Sequence, residues 1–167
     1  HATYSLEGSC SIQLSYGNST YIISKHSCHF LLLPCYNHEI VRKTVPNYKE
    51  YVRLQKEDYC SYESQNKLWS KGQKRYIKKK FSRVNRDKKI LDIACGDGVG
   101  LRVFKKLDFE SVTGVEFNKQ KADLAREIGY KVYELDMHDL STLKNDSFDI
   151  VYSSHTLEHA YKPKKAL

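Results

Sequence analysis

The run Ile90-Leu-Asp-Ile-Ala-Cys-Gly-Asp-Gly-Val-Gly100 limits what this chain can fold into more than any other stretch. It begins as a short apolar segment interrupted by one acid. It then carries glycine at positions 96, 98 and 100, and helical periodicity resumes at Val99. A buried strand that turns through glycine into a helix N-terminus opens a βαβ unit. The residues that follow keep the alternation. Their pattern predicts a helix over Val99–Leu107, a strand over Val112–Val115, and a helix capped by Asn118 that runs to Ile128 and ends at Gly129. Strands are predicted over Tyr130–Leu135 and Phe148–Ser153. Alternation at these connection lengths gives an α/β fold, a Rossmann-like, doubly wound, mostly parallel sheet.

The character of the chain changes near residue 45 and again near 85. Residues 1–45 read as a small β-rich N-terminal extension. Ser11 to Tyr16 alternates apolar and polar, Gly17-Asn18 makes a turn, and Tyr21-Ile22-Ile23 returns as the second strand of a hairpin. His29–Leu33 is a candidate further strand, stopped by Pro34. Residues 46–84 read as a helical lead-in with one-sided apolar positions at Tyr48, Tyr51, Val52, Leu54 and Tyr59, then at Leu68, Trp69, Tyr76, Ile77 and Phe81. Its second half has a basic surface through Lys71, Lys74, Arg75 and Lys78 to Lys80. Residues 85–167 hold the βαβ units.

The net charge of +8 favours acidic partners without choosing among nucleic acid, anionic membrane and acidic small molecules. The five cysteines are odd in number, irregularly spaced and contain no CxxC pair, which argues against a disulfide framework and for a reduced, cytoplasmic setting. No signal peptide is visible, and the longest apolar run, Phe30–Leu33, is far too short to span a bilayer. The oligomeric state is not legible.

Three elements carry chemistry, each at the end of a predicted strand. The first is the glycine turn after Asp92, where backbone N–H groups at a helix N-terminus face the crevice in which open α/β sheets bind ligands. The second is Glu116, placed to accept hydrogen bonds from two ribose hydroxyls. The third is Asp136, placed to accept from an adenine amino group. A nicotinamide dehydrogenase is the natural rival, but its GxGxxG fingerprint fails here: the glycines fall at 96 and 98, and position 101 is Leu.

The strings ILDIACGDGVG, VTGVEFN, YELDMHDL and SFDIVYSSHTLEH together resemble motifs I to IV of the class I S-adenosylmethionine (SAM)-dependent methyltransferases, and the last looks most like their type 11 branch. The resemblance covers about residues 66–167. It implies SAM as cofactor, methyl transfer as the activity and a small molecule as the favoured acceptor. It also implies site roles. Asp92, Ala94, Gly96, Asp97 and Gly98 would hold the methionine end, Glu116 the ribose, and Phe117 would lie against adenine. Asp136 and the Met137 backbone would read the adenine edge. Ser153, Ser154 and His155 would line the pocket near the methyl group, with His155 and His159 the candidate bases. Ala94 departs from the family, which usually has glycine there.

Two further patterns are weighed and set aside. His155-Thr-Leu-Glu158-His159 matches the HxxEH of one zinc peptidase class, but it directly follows a strand instead of lying within a helix. His26, Cys28, His29, Cys35 and His38 cluster without the paired spacing of zinc sites, so no metal is expected. The family fold has seven strands and only about four are legible in 85–167, as in a domain truncated after motif IV. The resulting expectations are an uncovered sheet edge and weak or no activity from this chain alone. Two alternatives stay open: a SAM-binding or interaction module without catalysis, and a nucleic-acid methyltransferase.

Overall fold

Strand Ile90–Ile93 (β3) is buried along its whole length, because neighbours pair with both its edges and cover both its faces. The computed structural model describes residues 11–16, 19–23, 47–57, 67–154, 156, 159–162 and 166. Within them the order is β1 (Ser11–Tyr16), β2 (Ser19–Ile23), α1 (Tyr48–Glu57), α2 (Lys67–Phe81), β3, α3 (Val99–Lys106), β4 (Val112–Glu116), α4 (Lys119–Arg126), β5 (Lys131–Glu134) and β6 (Ile150–Ser154). The strands form one sheet in the order β2-β1-β6-β3-β4-β5. β6, β3, β4 and β5 run parallel, as in the Rossmann-like fold expected. From β3 the chain steps outward to β4 and β5, then returns to β6 on the other side of β3. The strand order thus reverses between β3 and β6, and open α/β sheets bind ligands at the strand ends beside such a reversal.

The two-residue strand period sorts the core onto two faces. Ile90, Val112, Val132 and Tyr152 face Ile77 and Phe81 of α2, Leu101 and Phe104 of α3, and Ala122 and Ala125 of α4. The Phe81, Phe104, Phe109 and Tyr152 rings meet edge to face, with Phe81 and Phe104 centroids 5.0 Å apart. Leu91, Ile93 and Val115 point the other way, under Tyr133, Leu135, Met137, Leu140, Leu143, Phe148 and Val151.

The expected hairpin is present, with Tyr16 opposite Ser19. The candidate strand at 29–33 and the His/Cys cluster at 26–38 lie outside the described residues. The expectation of an uncovered edge is corrected: β1 pairs in parallel with the outer edge of β6, Ser11 opposite Ile150 through Ser15 opposite Ser154. The hairpin thus joins the same sheet and its ladder satisfies the backbone groups of β6. Among the described residues, no helix is long and apolar enough to cross a membrane.

Candidate functional site

The glycine turn is shaped by contacts a side chain would prevent. Gly98 caps α3 at φ 88°, and a Cβ there would stand 2.2 Å from Ile128 Cδ1. A Cβ on Gly100 would stand 2.6 Å from Asp92 Oδ2, so the first turn of α3 closes over the Asp92 carboxylate. A Cβ on Gly96 would meet nothing within 4 Å, which leaves the turn open there. Ala94 sits at φ 56°, in the left-handed region that favours glycine, which it adopts at a steric cost.

Asp92 lies in register between Gly114 of β4 and Tyr152 of β6 and is 1% exposed. Its Oδ2 is buried and has no hydrogen-bond partner. Burial, then the nearby Glu116 charge, pushes its pKa well above the ordinary carboxylate value. Glu116, also buried, staples the turn to β4: Oε2 accepts from Gly96 N–H at 2.9 Å and Oε1 from Asn118 N–H at 2.8 Å. Burial raises its pKa, and these backbone donors partly offset the rise. Cys95 packs below the turn with its N–H on the Val115 carbonyl, and burial pushes its thiol pKa up, as befits a core residue. Asp97 is buried, with Arg102 at 4.0 Å.

At the next strand end Asp136 is engaged on both oxygens. Oδ1 accepts from the His138 backbone N–H at 2.8 Å and lies 2.6 Å from His138 Nδ1, while Oδ2 accepts from the Tyr48 hydroxyl. Partial burial would raise the Asp136 pKa, but the bonds from Tyr48 and His138 outweigh it and hold the carboxyl below its ordinary value. His138 Nε2 accepts from Lys162 N–H at 3.2 Å, so Nδ1 carries the proton and donates to Asp136. Met137 packs into the core on the face of Leu91 and Val115. Ser153 Oγ donates to the Ile93 carbonyl at 3.2 Å, and Ser154 follows at the end of β6 beside Thr156, whose hydroxyl donates to its carbonyl at 3.1 Å. The structure therefore brings Asp92, Gly96, Asp97, Glu116, Asp136 and Ser153 to one sheet edge. His155 lies outside the described residues. His159 is exposed, and its backbone N–H donates to the Thr156 carbonyl at 2.9 Å.

The sequence reading expected a helix at α1 but did not place it across this edge. Asn118 is buried and works in two directions. Its Oδ1 caps α4 through Lys121 N–H, and its Nδ2 donates to the Gln55 and Lys56 carbonyls at the end of α1. Lys56 Nζ stands 5.1 Å from the centroid of the Phe117 ring. Tyr48 and Tyr51 pack with Tyr161 and His138 in one aromatic group, and burial pushes the Tyr51 pKa up to about 12. The sequence did carry a partial signal. Tyr48 and Tyr51 were legible as one face of a helix, but nothing local says that the face meets a loop some ninety positions later.

The family model described as a methyltransferase domain matches residues 91–167. No curated protein matches the chain. A Thermotoga maritima structure, described as a SAM-dependent methyltransferase and possible histamine N-methyltransferase, is similar in fold. Its TM-score is 0.50 at 21% identity, over 77% of this chain and 52% of that one. The YcgJ protein of Bacillus subtilis aligns with a TM-score of 0.49 at 22% identity, over 56% of this chain and 42% of its own. A SAM-dependent methyltransferase of Mesorhizobium loti aligns with a TM-score of 0.40 at 29% identity, over 42% and 34%. The chain thus spans between 34% and 52% of the length of these three proteins. Residues 91–167 thus match the family model of a methyltransferase domain, on a parallel sheet similar in fold to the Thermotoga maritima structure.

Proposed function

We propose that the chain binds SAM in the crevice at the ends of β3, β4 and β5 and serves transfer of its methyl group to an acceptor nucleophile. The observation that carries this reading is Asp92: a buried carboxylate oxygen without a partner, behind a turn left open at Gly96. Such a group is costly unless a ligand completes it, and the ammonium of a methionine moiety is a fitting donor. The other residues fit as well. The Glu116 carboxylate accepts from the Gly96 and Asn118 N–H groups and, with about four lone-pair sites, has acceptor capacity left for a ribose hydroxyl. Phe117 offers a half-buried ring to adenine. Asp136 would accept the adenine amino group once Tyr48 shares or yields Oδ2, with the Met137 backbone beside it.

SAM, when bound, would supply a sulfonium methyl to the acceptor's lone pair, with the carbon–sulfur electron pair leaving on sulfur. The chain's residues orient and exclude water. The acids fix the cofactor, and Ser153 and Ser154 stand at the end of β6 beside the turn. An acceptor that must lose a proton needs a base, and His155 and His159 are the candidates by position. His159 also serves as a turn residue, bonded through its backbone N–H to the Thr156 carbonyl.

The type 11 resemblance favours a small-molecule acceptor. A nucleic-acid acceptor is the second reading, favoured by the basic helix α2. The irregular cysteines, with Cys95 a buried free thiol, support a cytoplasmic setting. The test is calorimetric titration of SAM into this chain and into Glu116→Ala. The variant is expected to bind more weakly by about 1.5–3 kcal/mol. Absence of binding by a chain that circular dichroism shows to be folded would refute the reading. Binding without methyl transfer to any acceptor would favour a non-catalytic module.

A further inference from the structure

The basic charge of this protein is concentrated in one segment. Eleven of its 28 basic residues and one of its 20 acidic residues lie between Lys67 and Lys89, so the other 144 residues carry a net charge of −2. Helix α2 itself contains no acid. Its apolar side, Ile77 and Phe81, is spent on the core against α3 and Tyr152. Lys71, Arg75, Lys78 and Lys79 are exposed and fall at i, i+4, i+7 and i+8, which places them on one side of the helix over about 12 Å of its length. Among the described residues, none of the four lies within ion-pair distance of a carboxylate. Two other cations of the segment have structural duties. Arg86 donates to the Phe81, Ser82 and Val84 carbonyls, and Lys88 pairs with Asp149 at 3.0 Å.

We propose that this stripe of α2 is a docking surface for the phosphate backbone of a nucleic acid. A row of uncompensated cations repels itself, and a polyanion that displaces its own counterions relieves that repulsion. A membrane fits less well: an interfacial helix buries an apolar face in lipid, and the apolar face of α2 is already buried in protein. Gln73, on the core-facing side of the same helix, reaches to 3.4 Å from where a Gly100 Cβ would stand, next to Asp92, so the stripe lies on the side of α2 turned away from Asp92. The inference stands whether or not that site takes SAM.

The test is fluorescence anisotropy of a labelled 20-nucleotide single-stranded RNA and a 20-base-pair DNA duplex with the 167-residue chain at 50 and 200 mM salt. Four phosphate contacts to a single strand give a slope of log K against log salt of about −3, a loss of roughly 50-fold over that range. The variant Lys71→Glu, Arg75→Glu, Lys78→Glu, Lys79→Glu is expected to lose binding more than tenfold. A variant of equal net charge, with Glu at the exposed Lys106, Lys119, Lys131 and Lys144, is expected to keep most of it. If the first variant loses its thermal transition, Arg75→Gln with Lys78→Gln replaces it, with a several-fold loss expected. The proposal is overturned by no binding of either nucleic acid at 50 mM salt, or by equal loss in both charge variants. Binding only to phosphatidylserine vesicles would overturn it too.

Discussion

Replacing Asp92 with Asn tests the central feature of the crevice, because the carboxylate is built at a cost to the fold. Asp92 is 1% exposed, its Oδ2 has no partner, and burial followed by the Glu116 charge raises its pKa well above 3.8. A folded-state pKa above the unfolded one means that the folded chain holds the proton to higher pH. The carboxyl is therefore harmless below about pH 4, where both states are protonated, and destabilises the fold progressively as pH rises through the folded pKa. Asn keeps the shape and removes the charge. An unsatisfied buried acceptor costs about 1–3 kcal/mol, and more when charged. Asp92→Asn should thus be more stable than the parent by at least about 1 kcal/mol at pH 8. That is about 2–4 °C in melting temperature per kcal/mol for a chain of this size. Thermal unfolding followed by circular dichroism from pH 8 down to pH 4 reads the gap, which should close as pH falls. The same variant should bind SAM about 10–100-fold more weakly, since it loses a hydrogen bond to a charged group. A variant that is less stable at pH 8, or whose stability gap does not change with pH, would refute the reasoning.

Three other substitutions follow from the contacts. Ala94→Gly relieves a left-handed residue at φ 56°; about 1–2 kcal/mol of strain less the greater chain entropy of glycine leaves a gain of roughly 0.5–1 kcal/mol, and a lower melting temperature would contradict it. Asn118→Ala removes the α4 cap and both bonds to the end of α1; urea unfolding should show a loss of about 1–3 kcal/mol, and a change under 0.5 kcal/mol would show these bonds to be idle. Tyr48→Phe frees Asp136 Oδ2 for a ligand. Because Tyr48 is 40% exposed, the gain is discounted to about 0.5–1 kcal/mol, a two- to fivefold tighter SAM titration; weaker binding would mean that Tyr48 assists the ligand instead.

What the sequence made legible was local. Each βα unit is written in consecutive residues: an apolar run, a glycine or Asn118 at the turn, then helical spacing. The strands from β3 to β6 and helices α3 and α4 accordingly fall within a residue or two of their predicted bounds. The acids were legible because a strand end is a place in the chain as well as in space. The contacts of α1 were not, because Tyr48 and Asp136 are 88 positions apart and the contact depends on packing that no periodicity encodes. His138 was missed for a related reason. Its acid lies only two residues before it, but its burial depends on α1 and on Lys162 closing over it. The pairing of β1 with β6 was likewise hidden, since alternation in Ser11–Tyr16 marks a strand without naming its neighbour.

These contacts sort the protein's charge by sign. The acids Asp92, Asp97, Glu116 and Asp136 gather at the strand ends, three of them buried, and the bases crowd onto the outside of α2. A crevice so lined disfavours an anionic ligand and suits one with an ammonium and a sulfonium. If the crevice takes SAM as proposed, it would also distinguish substrate from product, because methyl transfer removes the sulfonium charge while hydrogen bonds to ribose and adenine would persist. Part of the attraction should therefore disappear at the step that makes release necessary. S-adenosylhomocysteine should then bind more weakly than SAM by a margin that shrinks when Asp92 is made neutral. A geometric pocket indifferent to charge would give the same ratio in both proteins.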